Sequence, residues 1–512
     1  MQESQKSSRA PASPTSGGPN RRTVLRGSAA VAAAAASATV ARATPASLQA
    51  AATMEPSLVN AWALGRASFG VTRDMLNDVA QRGLDGWVDW QLQPLQIDDS
   101  ALEARLASFE WLGWSAAEMN DHPTKEVWEI AHEARAVRLL RATYSKRQLF
   151  ERIVEFWTDH FSIYGSADDT FVLKIVDDEE VIRTHALGRF QDLLQASARS
   201  PAMIAFLDND TNVVGAAQEN YAREVMELHT LGVDGPYTEN DVRELARCFT
   251  GWTYWKPWES MTQYGEFRFR PQQHDTGAKT VLGVQLPAGG GIEDAEILLD
   301  HLADHPSTID FVTTKLAKWL LGYAPPQAAI DAARARWIAT GGEIREVVRS
   351  LLSEESIRLA RPWREPKLKR PFHWIVSLYR ATGIDLPTPT DTIWMIWNLG
   401  QPPFQWKAPN GYPDVEGAWA SLLMPRWQQA AVFGQGWYWS SPHTIGDIRA
   451  LLGSTPMSGW AQHLSMLLTG GTMRPREVKR IQQYINGFSQ PTDQIVGEAL
   501  ELVASSPSFG RY

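Results

Sequence analysis

Residues 145–164 read SKRQLFERIVEFWTDHFSIY. The bulky side chains of this segment recur every three or four residues, at Leu149, Ile153, Phe156, Trp157 and His160. That spacing places them on one stripe of an α-helix, so the segment predicts an amphipathic helix whose apolar face packs in a core. A histidine on such a stripe has two explanations that stay open, a hydrogen-bonded core residue or a functional imidazole.

Helical spacing continues through most of the chain. It recurs in residues 56–67, 72–91, 124–144, 187–197, 219–231, 239–250, 292–303, 307–321, 342–352 and 371–382. We therefore predict a mainly α fold, with a multi-helical globular body. One segment differs, because Phe267 and Phe269 alternate with arginines and Asp275-Thr276-Gly277 supplies turn residues. We predict a small inserted β-hairpin over residues 266–286.

The composition excludes several classes of protein. The 512 residues are 44% hydrophobic and 21% charged, with a formal net charge of −9. Such a chain buries enough apolar surface to fold, which excludes a disordered protein. The acidic balance argues against a nucleic-acid binder, since phosphate contacts need clustered lysine and arginine. The single cysteine, Cys248, excludes an intramolecular disulfide framework and a multi-cysteine metal site.

The first 43 residues have the features of an export signal. Arg21-Arg22 precedes an alanine-rich stretch over residues 27–40, and Ala41-Arg42-Ala43 fits the A-x-A cleavage pattern. The paired arginines are typical of the twin-arginine type. An alanine-rich helix after a polar tail is the alternative. We expect a signal peptide over residues 1–43, the twin-arginine export machinery as a partner, and a periplasmic or extracellular location.

The rest of the chain is expected to form a linker and one domain. We assign residues 44–57 to the linker and 58–512 to a single domain. A division of that domain into two lobes, residues 58–360 and 361–512, is compatible with this assignment. No later segment has the 18 or more uninterrupted apolar residues that a bilayer span needs, so we expect no membrane span in the mature chain.

An acidic loop has the ligand spacing of a calcium site. Asp208, Asp210, Asn212 and Glu219 occupy positions 1, 3, 5 and 12 of a helix–loop–helix calcium motif. The match has a fault, because Val213 stands where that motif needs glycine. We take the four residues as candidate ligands of a divalent cation such as calcium, while an ordinary turn rich in Asp and Asn remains the alternative.

The following helix carries candidate acid–base residues. Glu224 and Glu227 lie three residues apart, and His229 follows them. Together with His160 they are candidates for catalysis or metal binding. A ladder of charges on a solvated helix face explains the same carboxylates. His274-Asp275 is a further candidate, because an imidazole beside a carboxylate can be oriented for proton transfer, although Asp275 also suits a turn.

Tryptophan is unusually frequent, with 22 residues against 17 Phe and 12 Tyr. Most such rings fill cores. Those in loops rich in proline suggest instead a platform for sugar rings or another apolar ligand. The candidate ligand-binding residues are Trp252, Trp255, Trp258 and Trp406.

Several blocks of sequence carry a resemblance to a known family. They are FWTDHF (156–161), HALGRF (185–190), ENYARE (219–224), ELHTLG (227–232), FTGW (249–252), HD (274–275) and KLKRPF (367–372). In order and wording they resemble the bacterial domain-of-unknown-function family numbered 1800, from about Leu58 to the C-terminus. Gln218 departs from the asparagine more usual in that family. The resemblance implies an exported protein and, as a partner, a second exported protein encoded nearby.

Two functions fit these features. The first is a metal-dependent enzyme, a hydrolase acting on an envelope or extracellular polymer. The second is a non-catalytic protein that binds a glycan or a partner, in which the carboxylates are structural. The sequence leaves open whether the protein is an enzyme.

Overall fold

Helices form most of the protein. A computed structural model describes residues 56–166, 170–436 and 443–512. The helices are α1 Pro56–Ala67, α2 Arg73–Gln91, α3 Ser100–Leu106, α4 Ala116–Asn120, α5 Val127–Tyr144, α6 Gln148–His160, α7 Phe171–Val176, α8 Phe190–Arg199, α9 Pro201–Phe206, α10 Glu219–Glu224, α11 Glu239–Cys248, α12 Glu293–Asp304, α13 Pro306–Leu320, α14 Gln327–Thr340, α15 Ile344–Leu351, α16 Glu354–Ala360, α17 Pro371–Thr382, α18 Pro389–Asn398, α19 Glu416–Trp419, α20 Leu423–Gly434, α21 Ile445–Leu452, α22 Trp460–Thr469, α23 Pro475–Ile485 and α24 Asp493–Ala504. The prediction of a mainly α fold is confirmed.

Two helices continue into π-helical turns. Asp177–Arg183 follows α7 and Val225–His229 follows α10. A π-turn bonds each residue to the fifth one along, which widens the helix locally and is frequent at functional sites. His229 therefore ends a segment whose side-chain directions differ from those of an α-helix.

A small β-hairpin within residues 266–286 is confirmed, although the strand pairing differs in detail from the prediction. β1 Trp252–Tyr254 pairs antiparallel with β2 Phe267–Phe269, and β3 Lys279–Val281 pairs antiparallel with β4 Val284–Leu286. Phe267 and Phe269 thus pair with an earlier segment, and the turn within residues 266–286 is Leu282-Gly283. Both turn residues have positive φ, 51° and 82°, as a two-residue type I′ hairpin requires.

The predicted stripe of α6 lies in the core. Leu149, Ile153, Trp157 and His160 are each at most 1% exposed. A second hydrophobic cluster joins the C-terminal helices, centred on α17 and α24 with contributions from α5. From Glu55 to Tyr512 the chain forms one unit.

Every helix in residues 56–166, 170–436 and 443–512 is too short or too polar to cross a bilayer. The predicted signal peptide, residues 1–43, lies outside the described residues, as does most of the predicted linker.

Candidate functional site

The C-terminal end of α6 lines a cleft that also contains residues of α13 and of the loop before α19. The cleft has a volume of about 150 Å³ and is lined by Phe156, Asp159, His160, Lys315, Lys318, Trp319, Asn410, Tyr412, Pro413 and Asp414. Carboxylates, amines and an imidazole converge there on a small concave space, which is the usual character of a ligand site.

His160 is held by both ring nitrogens. Its Nε2 lies 3.0 Å from the backbone oxygen of His229, which can only accept, so Nε2 carries the proton. Its Nδ1 is then free to accept a hydrogen bond from Nζ of Lys315, 2.9 Å away. Burial, the charge of Lys315 and the neighbouring His229 lower the pKa of His160 well below 6.5. His160 therefore acts as a neutral acceptor that orients the lysine amine.

Lys315 is the titrating group of the cleft. Burial lowers its pKa from 10.5 to about 8, although the charges of Asp159 and Asp414 oppose the shift. It forms no ion pair within the described part of the chain. An amine with this pKa gains or loses a proton close to neutral pH, as general acid–base chemistry requires.

Arg370 joins the two carboxylates at the end of α6. Its Nη1 lies 2.6 Å from Oδ2 of Asp159, and its Nη2 donates to Glu155. Burial raises the pKa of Asp159 even though Arg370 opposes the shift. Burial also disfavours the charged form of Glu155. The charges of Arg370 and Arg152 outweigh this effect, so the pKa of Glu155 is lowered. Arg370 thus compensates two carboxylates that are largely removed from water.

The loop between α18 and α19 closes onto α6. Gly411 has φ +71°, and a Cβ atom built on it would lie 2.0 Å from the backbone oxygen of Asp159. The backbone N–H of Tyr412 is 3.4 Å from Oδ1 of Asp159. Only glycine permits both this backbone conformation and this approach. The loop therefore forms one wall of the cleft.

Asp414 is fixed by a buried lysine. Nζ of Lys367 lies 2.6 Å from Oδ2 of Asp414 and 2.8 Å from the backbone oxygen of Lys318. Both cleft carboxylates are therefore already paired with a cation. The remaining charge in the cleft comes from the amines of Lys315 and Lys318, so the cleft favours anionic or electron-rich groups of a ligand.

Two of the predicted catalytic residues, His160 and His229, lie next to each other. Their ring centroids are 6.2 Å apart. His229 is 1% exposed, and neither of its ring nitrogens has a hydrogen-bond partner among the described residues. Burial and the charge of Lys315 lower its pKa to about 3. Glu224 is also buried, at the end of α10.

Two other predicted carboxylates belong to a charge ladder. Arg223 pairs with Glu219 at 3.1 Å and with Glu227 at 3.4 Å, and it reaches Glu239 on α11 at 2.7 Å. These groups are partly exposed, so the pairs resemble ordinary helix-surface ion pairs. The structural alternative fits Glu219 and Glu227.

His274 and Asp275 make separate local contacts. Nε2 of the buried His274 lies 3.3 Å from Oδ2 of Asp294, which also accepts from Lys279 at 2.6 Å. Asp275 pairs with Arg247 at 2.8 Å and accepts from the N–H of Gly277. The hydrogen bonds from Arg247 lower the pKa of Asp275 to about 2. Asp275 thus acts as a turn residue anchored to α11.

The residues of the predicted calcium loop contact other groups of the protein. Oδ2 of Asp210 lies 2.7 Å from Nζ of Lys256. The buried Asn212 donates to the backbone oxygen of Ala246 and accepts from the N–H of Gln218. Asp208 has φ +61° and its Oδ2 contacts the amide of Asn220.

These contacts bear on the proposed divalent cation. Among residues 56–166, 170–436 and 443–512, no group of three or more His, Cys, Asp or Glu side chains is arranged to hold a metal ion. The four predicted ligands therefore do not form one ligand set, because each contacts a different partner within the protein. They are Asp208, Asp210, Asn212 and Glu219.

The predicted tryptophan platform is divided between core and surface. Trp252 is buried, and the guanidinium of Arg268 covers the ring of Trp255 at 3.7 Å. Trp406 is partly buried and donates to Asn410, a cleft residue, at 2.8 Å. Trp258 is 73% exposed, so it alone of the four offers an open face.

Sequence reasoning missed Asp159, Lys315, Lys367, Arg370 and Asp414. Asp159 adjoins His160 in the FWTDHF block, and Lys367 and Arg370 lie in the KLKRPF block. Those two blocks therefore contained residues of the site but did not indicate what those residues do. Lys315 has no such signal, since a lysine at the edge of a helical stripe looks like a solvated residue.

No curated protein and no solved structure matches the chain at a significant level. Residues 62–511 match the model of the family described as protein of unknown function DUF1800, and the chain belongs to that family.

Proposed function

We propose that the protein is an exported acid–base enzyme and that it hydrolyses an envelope or extracellular polymer in the cleft around Lys315. The observation that carries the proposal is the contact between Lys315 and His160. It places an amine with a pKa of about 8 in a cleft of about 150 Å³, oriented by a neutral imidazole.

The chemistry would depend on the amine. In its unprotonated form Lys315 accepts a proton from an attacking water, and in its protonated form it donates to a leaving group. His160 positions the amine, while Arg370 and Lys367 hold the neighbouring carboxylates in place. This proposal uses no metal ion, since two of the carboxylates expected as ligands, Glu219 and Asp210, pair with Arg223 and Lys256.

The proposed location and the proposed class of substrate rest on the sequence. The twin-arginine pattern in residues 1–43 supports export, and the acidic chain argues against a nucleic-acid substrate. We therefore propose a polymer outside the cytoplasm as the substrate, with a second exported protein as a partner.

The test compares Lys315→Met with Lys479→Met, a substitution at an exposed lysine on α23. Each purified protein is incubated with envelope and extracellular polymers from its native host, and released fragments are identified by mass spectrometry. We expect release by the wild type and by Lys479→Met, a loss of at least about 100-fold in Lys315→Met, and a wild-type kcat/KM that changes near pH 8. Equal release by Lys315→Met, or no release from any polymer, would contradict the proposal.

A second function is favoured by one observation, the exposure of Trp258. Its ring is 73% exposed beside the Lys256–Asp210 pair, and exposed indole rings stack on sugar rings in glycan-binding proteins. In this alternative the protein binds a glycan without cleaving it. Trp258→Ala would then reduce co-sedimentation with the polymer, whereas Lys315→Met would leave it unchanged.

A further inference from the structure

Several buried basic side chains cluster near the start of α17. Arg66, Lys369, His373 and Arg426 are each at most 5% exposed. Among the described residues, Arg66, Lys369 and Arg426 form no ion pair with a carboxylate. This region is separate from the Lys315 contact described above.

The nitrogens of this cluster lack partners. All three guanidinium nitrogens of Arg426, Nε and Nη1 of Arg66, and both ring nitrogens of His373 have no hydrogen bond within the described chain. Among the described residues, Nζ of Lys369 donates only to the hydroxyl of Ser377, at 3.0 Å, and it lies 4.0 Å from the centre of the ring of Phe509. Buried cations without an acceptor are unfavourable, so the cluster calls for a negative group.

A small cavity lies against Lys369 and His373, while Arg66 and Arg426 lie outside its lining. It has a volume of about 20 Å³ and is lined by Lys369, His373, Thr469, Thr472, Tyr512 and residues of α1. Arg511 also lines it, but that arginine pairs with Glu416 at 2.5 Å. A volume this small suits a single water molecule or monatomic ion better than a polyatomic anion such as sulfate or phosphate.

The charges of the neighbouring cations reach this cavity. Arg426 adds to the effect of burial in lowering the pKa of Lys369 to about 7. Arg66 and Arg152 add to burial in lowering the pKa of His373. A water molecule would satisfy hydrogen bonds but leave this positive charge in place, whereas a monatomic anion would compensate it.

We propose that the cavity between α1, α17 and α22 binds one chloride ion, held by Lys369 beside His373 and stabilised by the charges of Arg66 and Arg426. The site shares no lining residue with the Lys315 cleft, so it is tested separately from the proposed enzyme activity. A bound ion of this kind would stabilise the packing of α1 against α17.

The test measures thermal unfolding in sodium chloride and in sodium gluconate at equal ionic strength. Ligand that binds only the folded state raises the unfolding midpoint in a saturable way. We expect the wild type to gain at least about 2 °C in chloride. Gluconate has its own stabilising effect, so the decisive quantity is the loss of this gain in Lys369→Met and its retention in Lys479→Met.

Diffraction from wild-type crystals grown with bromide gives a second measurement that needs no variant. An anomalous peak in the cavity is expected. A chloride gain that is no larger for the wild type than for Lys369→Met, or a cavity without an anomalous peak, would overturn the proposal and assign the space to water.

Discussion

Nζ of Lys315 lies 2.9 Å from Nδ1 of His160, and Nε2 of the same ring lies 3.0 Å from the backbone oxygen of His229. The three residues come from α13, α6 and the π-turn after α10. Because His160 donates through one nitrogen and accepts through the other, it stays neutral and leaves Lys315 as the group that titrates near neutral pH.

Lys315 should react with amine reagents at unusually low pH. Only an unprotonated amine reacts, and burial lowers the pKa of Lys315 to about 8, against about 10.4 for an ordinary lysine. We expect the rate of acetylation of Lys315 by acetic anhydride to reach half its maximum near pH 8. Peptide mass spectrometry measures this rate, with free Nα-acetyl-lysine, whose ε-amine is open, as the internal standard. A midpoint above pH 9.5 in the folded protein would remove the basis of the proposed chemistry.

Arg370 should matter far more to stability than a comparable surface arginine. Arg370→Met leaves Asp159 and Glu155 without their shared cation, and such losses cost about 3–5 kcal/mol of unfolding free energy. The matched control is Arg449→Met, which breaks the exposed pair of Arg449 with Asp493 at 2.6 Å and should cost less than about 1 kcal/mol. Urea denaturation measures both, and similar costs would show that the buried network is not strongly coupled.

The sequence predicted the fold better than the site. The spacing of apolar residues within one segment already shows which face of a helix is buried, whereas the site is assembled from distant segments. The stripe of α6 follows from the recurrence of Leu149, Ile153 and Trp157, which are buried as expected. The pairing of Phe267–Phe269 with Trp252–Tyr254 crosses an intervening loop, and no local pattern specifies such a partner. Asp275 looked like the turn of the hairpin, while its actual role is set by Arg247 on another helix.

The site depends on distant contacts and on one departure from α geometry. In an α-helix His229 would lie about 140° from Glu224, but the π-turn over Val225–His229 alters that relation. Lys315 meets His160 across 155 residues of chain. Asp210 likewise pairs with Lys256, which lies on the segment after β1. Spacing along one helix carries no information about such partners.

Stability should fall in acid partly through His229. Its pKa is about 3 in the folded protein and about 6.5 when unfolded. The unfolded state therefore binds the proton first, and folding free energy is lost as the pH falls from about 6.5 toward 3, by on the order of 1 kcal/mol per pH unit. His229→Gln should show a shallower decline over that range in urea denaturation. Parallel pH profiles for the two proteins would mean that His229 is not buried as a neutral ring.

Calcium should not stabilise the protein. Asp210 is occupied by Lys256 and Glu219 by Arg223, so a cation would have to displace two ion pairs. We expect the same thermal unfolding midpoint with EDTA as with millimolar calcium. A rise of more than about 2 °C in calcium that Asp208→Asn abolishes would instead restore the calcium loop predicted from the sequence.

Gly411 should be the least replaceable glycine of the cleft wall. Gly411→Ala places a Cβ atom 2.0 Å from the backbone oxygen of Asp159 at a φ of +71°.

Gly383→Ala is the matched control, because Gly383 has a φ of +67° with no atom within 4 Å of the added Cβ. The control should lose about 1–2 kcal/mol of unfolding free energy from the backbone conformation alone. Gly411→Ala should lose a further 1–3 kcal/mol, roughly, from forced displacement, and the shift of the loop should move the acetylation midpoint of Lys315 toward 10. If the two alanine variants are equally stable and Lys315 titrates as in the wild type, then the loop does not form a rigid wall of the cleft.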